Sequence, residues 1–105
     1  MRTASVYVHG ELAGQLIELD DQKSYRYTYL KGYNNASVSL TMPTTQSVYE
    51  FDQFPPFFEG LLPEGVMLEG LLRQLKIDAD DFFSQLVATG ADLVGAVTVK
   101  AIPHE

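Results

Sequence analysis

The chain has no cysteine. Disulfides, thiolate metal sites and a thiol nucleophile are therefore excluded, and the absence fits a reducing compartment. Positive charge is scarce and scattered. Arg2, Lys23, Arg26, Lys31, Arg73, Lys76 and Lys100 are the basic residues, no two of them adjacent, against 14 acidic ones, for a net charge of −7. Nucleic-acid binding needs Lys and Arg to displace counterions from phosphates. No direct nucleic-acid contact is expected, and no attraction to an anionic membrane. Net negative charge fits a basic protein partner and equally fits plain solubility. Long apolar runs are missing too. Met1-Arg2-Thr3-Ala4-Ser5-Val6-Tyr7-Val8-His9 lacks the apolar stretch of a secretion signal. No segment reaches the ~20 apolar residues that cross a bilayer. The expected location is the cytoplasm.

What is present reads as one α+β domain over residues 1–105, a mostly antiparallel sheet with about three helices inserted before the last strand. Val6 and Val8 alternate with Ser5, Tyr7 and His9, the period of a half-buried strand. Gly10-Glu11 can turn tightly, because glycine tolerates positive φ. Leu12 to Leu19 follows as a strand, with Gly14 marking a bulge. Asp20-Asp21-Gln22-Lys23 is a polar turn. Tyr25, Tyr27 and Tyr29 then share one face. Val38, Leu40 and Met42 alternate with Ser37, Ser39 and Thr41, which predicts a fourth strand ended by Pro43. Thr44 to Gln53 reads as a loop.

Helical signals take over from there. Pro56 and Pro63 can each open a helix, where a missing N–H is no loss. Leu68, Leu71, Leu72 and Leu75 fall at i, i+3, i+4 and i+7, a stripe expected to face the core, with Gly70 on its flank for close packing. Asp78 is the expected N-cap of a third helix, followed by acids suited to a helix start. Gly90 is its expected C-cap. Val94 to Ala101 predicts a last strand that returns to the first sheet.

Few residues offer chemistry. Glu59 and Glu64 flank Leu61-Leu62-Pro63 and could divide acid and base roles in a small hydrolase. Solvated helix-end acids are the simpler account. Asp78, Asp80 and Asp81 lack the alternation around a glycine turn that a calcium cage needs. His9 is expected on the solvent face of a strand and His104 in a tail, too few for a metal site of N and S ligands. No cofactor site is expected. Neither phosphate-binding glycine pattern occurs, and the glycines at 90 and 95 lie between a helix and a strand, the reverse of a phosphate loop. The tyrosine ladder could stack bases. Without surrounding basic residues, packing explains it better. The segment Leu62, Pro63, Glu64, Gly65, Val66 and Met67 is different. A Pro-Gly turn there would hold two apolar side chains outward, a form taken by protein-contact anchors.

Two stretches resemble a known family. Phe57-Phe58-Glu59-Gly60-Leu61-Leu62-Pro63-Glu64-Gly65 is similar to the F-F-x-x-L-L-P-[DE]-[GS] stretch of HipA-type serine/threonine kinases. Ala88-Thr89-Gly90-Ala91-Asp92-Leu93-Val94-Gly95-Ala96-Val97 is similar to their G-x-D-x-[VI]-G-A-V stretch. The likeness covers the N-terminal subdomain, which precedes the catalytic body, so it supplies no catalytic residue. With the chain stopping at Glu105, the resemblance implies a free-standing subdomain of the HipS type. HipS-type proteins are antitoxins that hold a shortened HipA-like kinase toxin (HipT type) inactive, while a separate DNA-binding HipB-type protein represses the operon. A further reading is the non-catalytic N-terminal piece of a longer kinase. For either, residues 62–67 are the expected kinase contact.

Overall fold

A computed structural model describes residues 2–21, 23–90 and 96–102. Among these residues, five strands and three helices follow the order β1 (Arg2–Val8), β2 (Glu11–Glu18), β3 (Tyr25–Tyr29), β4 (Val48–Phe51), α1 (Pro56–Glu59), α2 (Gly65–Leu75), α3 (Phe82–Thr89) and β5 (Val97–Ile102). All strand pairs are antiparallel, in the order β4-β3-β2-β1-β5. The first four strands form a meander. The last returns beside β1 after the helices, as the pattern predicts.

Local chemistry explains the turns. His9 and Gly10 join β1 to β2 with φ of 51° and 80°. A two-residue hairpin with both φ positive matches the twist of the flanking strands. The turn thus sits one residue earlier than Gly10-Glu11, and His9 belongs to it rather than to a strand face. The register of β1 against β2 shifts between Val6 and Tyr7, beside Gly14, so the expected bulge is present. In the β2–β3 turn, the Asp21 carboxylate accepts the N–H groups of Ser24 and Lys23 at 2.8 and 2.9 Å. Those bonds, with the Ser24 hydroxyl, hold its carboxyl at about 2, the side-chain-to-backbone pattern that favours Asp in turns.

One face of the sheet carries the core. Ala4, Val6, Val8, Leu16, Tyr25, Tyr27 and Tyr29 point into it, and Phe54, Phe58, Phe83 and Leu86 close it. The three tyrosines are packing residues: Tyr27 meets Tyr29 edge-on at 4.9 Å and Tyr25 meets Phe54 edge-on at 5.1 Å. Along the outer face, Thr3, Ser5, Tyr7, Arg26 and Thr28 are only half-buried.

The fourth strand is not where the alternation places it. Residues 38–42 form a turn closed by an isolated bridge between Ser39 and Met42. Val38 and Met42 are buried while Leu40 is exposed. A strand would put Val38, Leu40 and Met42 on one face. The turn buries only the first and last and sends Leu40 outward, so the apolar spacing alone does not separate the two. The true β4 lies in the predicted loop, where Tyr49 and Phe51 alternate with Val48 and Glu50 and pair with β3.

Helix α1 begins at Pro56, as expected. Helix α2 begins at Gly65 with Glu64 as its N-cap, two residues beyond Pro63. The N-cap of α3 is Asp81, whose side chain accepts from the Ser84 N–H. Asp78 instead offers its carbonyl to the Asp81 N–H at 3.0 Å. Gly90 does cap the C-terminus of α3. The predicted positions Val94 and Gly95 of the last strand, residues 91–95 of the second motif and His104 lie outside the described residues.

Candidate protein-contact surface

The α1–α2 corner is anchored on its α1 side and open beyond it. Phe54 and Phe58 are buried, and Leu61 and Leu62 are partly buried against the core. The Leu61 and Leu62 N–H groups each donate at 3.1 Å, to the carbonyls of Phe58 and Glu59. Pro63 then ends this tight turn, because it has no N–H to continue it. Glu64 is extended, and Gly65 takes φ of 61°. That left-handed step is inexpensive for glycine. It swings the chain so that Val66 and Met67, in the first turn of α2, are 83% and 77% exposed.

Helix α2 contributes no buried residue. Its leucine stripe is real, but it lies half-covered at the surface, and Leu75 is exposed. The spacing alone predicts a core-facing stripe. Amphipathic spacing shows only that a helix has an apolar face, not what covers it. Gly70 likewise has open space where a Cβ would stand, so close packing does not account for it. Beyond α2, the buried Gln85 side chain donates to the carbonyls of Asp78 and Ala79 at 3.2 and 3.1 Å. The segment after α2 is thus fastened to α3, while α2 itself lies at the surface.

Residues 62–67 therefore occupy one continuous piece of this corner. Leu62 and Pro63 are partly buried and Glu64, Gly65, Val66 and Met67 are exposed. Glu59 ends α1 and Glu64 caps α2, both exposed. Neither has the apolar setting by which acid–base chemistry sets two carboxylates apart. No group of three His, Asp or Glu side chains suited to a metal occurs among the described residues.

A dense polar cluster among the described residues lies elsewhere and fastens α3 to the sheet. The Arg2 guanidinium donates to both Glu18 oxygens at 2.7 Å, to Asp81 at 2.9 and 3.3 Å, and to the Ser84 hydroxyl at 2.9 Å. It also lies 4.8 Å from the Phe83 ring centre. The Arg2 bonds hold the Glu18 carboxyl below the usual range, against the opposing effect of burial. Burial and then the Glu18 carboxylate push the Tyr25 hydroxyl up to about 12. Sequence reasoning missed this cluster, because nothing local to Arg2 announces partners far along the chain.

Comparison with known proteins settles the family. The family model of the HipA N-terminal domain matches residues 4–100. The chain belongs to the HipA N-terminal domain family. It is 31% identical over 100 residues to an uncharacterised protein of Haemophilus influenzae, covering 95% of this chain and 92% of that one. It is 30% identical to "Putative kinase Y4dM" of Sinorhizobium fredii, covering 90% of this chain but 25% of that protein. Among solved structures, the N-terminal domain of HipA toxin superposes with a TM-score of 0.78 at 26% identity, covering 100% of this chain and 96% of that one. The α+β fold and the HipA likeness read from the two motifs are thus both correct. No described helix is long and apolar enough to cross a membrane.

Proposed function

We propose that this chain is a HipS-type antitoxin that binds and inhibits a HipA-like serine/threonine kinase toxin. DNA enters only through a complex with a HipB-type protein, since the chain itself brings a net charge of −7. One observation carries the reading. A HipA N-terminal domain presents Val66 and Met67 almost fully exposed at a corner fixed by Pro63 and Gly65. Burying such side chains against a partner contributes on the order of 1.5–3 kcal/mol each. Glu64, exposed beside them, is available to a basic group on the kinase. The Haemophilus relative supports a free-standing domain, because the match spans 92% of that protein.

A second reading has its own observation. The match spans only 25% of Y4dM, so the same domain also occurs within a much longer chain. The corner would then contact a kinase body in the same polypeptide. A stop codon after Glu105 with a separate kinase gene beside it favours the antitoxin. Co-expression with that kinase tests it: the chain should co-purify with the kinase and relieve its toxicity. A kinase that stays toxic and unbound contradicts the proposal.

A further inference from the structure

The β3–β4 connection carries another exposed apolar projection. Residues 32–49 contain no Asp, Glu, Lys or Arg, in a chain with 7 basic and 14 acidic residues. The connection is nevertheless fixed. Val38 and Met42 are 5% and 2% exposed. The buried Tyr29 hydroxyl accepts the Val38 N–H at 2.9 Å and donates to the Met42 carbonyl. The Tyr33 ring stacks on Tyr29 at 5.7 Å. The Tyr49 hydroxyl donates to the Pro43 carbonyl at 2.6 Å. Between the two buried anchors, the Met42 N–H closes a turn on the Ser39 carbonyl at 3.1 Å. Leu40 stands at its apex, 99% exposed.

The turn neighbours the α1–α2 corner. A cleft of about 240 Å³ separates them, lined by Ala36, Ser37 and Val38 on one side and Phe57 and Leu61 on the other. Leu40 follows Val38 by two residues, and Leu62 follows Leu61. The neutral loop and Leu61, the residue that leads into the 62–67 segment, therefore line one mostly apolar cleft.

We infer that the Leu40 turn is a second anchor for the kinase, seated in an uncharged apolar pocket while the kinase straddles the cleft. The inference rests on the reading above. Leu61, the chain neighbour of residues 62–67, lines the same cleft as Val38, and this selects the same partner. Neutrality fits the core of a protein interface, where charged residues are depleted. A leucine on a fixed turn loses little further freedom on binding. A membrane surface fits poorly, since one leucine side chain on an acidic protein inserts too little apolar area. In Y4dM most of the polypeptide lies outside the matched domain, leaving a large body for such a domain to meet.

The test uses the full chain and a co-expressed HipA-family kinase that lacks this domain. Leu40→Asp should melt like the wild type, because the side chain is exposed. It should bind about tenfold more weakly or worse. Thr45→Asp, an exposed charge on the same loop away from the turn, should bind like the wild type. Undiminished binding by Leu40→Asp overturns the inference and leaves the 62–67 reading standing. Failure of the wild-type chain to bind any such kinase overturns both. Self-association of the chain that Leu40→Asp abolishes reassigns the turn to a second copy, and also overturns the inference.

Discussion

Arg2 and Asp81 lie 79 residues apart in sequence and meet at 2.9 Å, with Glu18 on the other side of the same guanidinium. The first strand and the third helix are thereby joined through one side chain. Glu18 is 5% exposed. Arg2→Ala leaves that carboxylate without its partner. Because Arg2 is itself 37% exposed, solvent screens part of the effect. The expected loss is about 1–3 kcal/mol in urea denaturation. An unchanged midpoint would show that the cluster does not fasten α3.

The same cluster sets an acid limb. Arg2 holds Glu18 below its ordinary 4.5. For Asp81, burial acts upward, but the bonds from Arg2 and Ser84 prevail and leave it below 3.8. Folded-state values that are depressed contribute stability in full above the unfolded values, and lose it as pH falls through the folded ones. Wild-type stability should therefore decline as pH drops below about 4.5, and Glu18→Gln should decline less steeply there. Equal slopes for the two proteins would contradict the assignment.

Two glycines should respond oppositely to alanine. A Cβ on Gly90 would stand 1.9 Å from the Val99 carbonyl oxygen, while the Gly90 carbonyl accepts the Val99 N–H at 3.0 Å. Gly90→Ala must push α3 away from β5, at a cost of about 1–3 kcal/mol. Gly70 lies inside α2, and a methyl group added there would meet no described atom within 4 Å beyond its chain neighbours and the helix's own backbone. Gly70→Ala should stabilise by about 0.5–1 kcal/mol. Chemical denaturation of both variants checks the pair, and matching signs would refute it.

Among the described residues the buried Tyr27 hydroxyl has no hydrogen-bond partner, and Gly14 gives it room. Removing a buried, unpaired polar group is not penalised. Tyr27→Phe should therefore be as stable as the wild type or more so by thermal melting. A loss above about 1 kcal/mol would mean that the hydroxyl has a bonded partner.

Much of the fold is legible in the sequence. Period-two alternation reveals β1 and β3, because one sheet face is buried and the other is not. The Pro and Gly positions mark the corners, and Pro63-Glu64-Gly65 points to an exposed tip. Long-range closure is not legible: Arg2 has no local signature of Glu18 and Asp81. Nor does alternation distinguish a strand from a pinned turn, so it puts Leu40 in a strand and passes over the short, half-exposed β4. The α2 stripe shows an apolar face without its covering.

That last difference is measurable. Leu86 is 0% exposed, whereas α2 has no buried residue. Leu86→Ala should cost about 2–5 kcal/mol. Leu72→Ala, expected to be similar from the stripe alone, should cost less than about 1.5 kcal/mol, because part of the side chain already meets water. Equal losses would put Leu72 in the core.

The central claim is that residues 62–67 restrain a HipA-family kinase. Its most direct measurement is the autophosphorylation rate of such a kinase titrated with this chain and with Met67→Asp. Met67 is 77% exposed, so the variant should melt like the wild type. The wild-type chain should suppress the rate. Met67→Asp should need about 30 times more protein for the same effect, corresponding to about 2 kcal/mol of lost binding. A kinase that runs at full rate with the wild-type chain, or is suppressed equally by the folded variant, would contradict it.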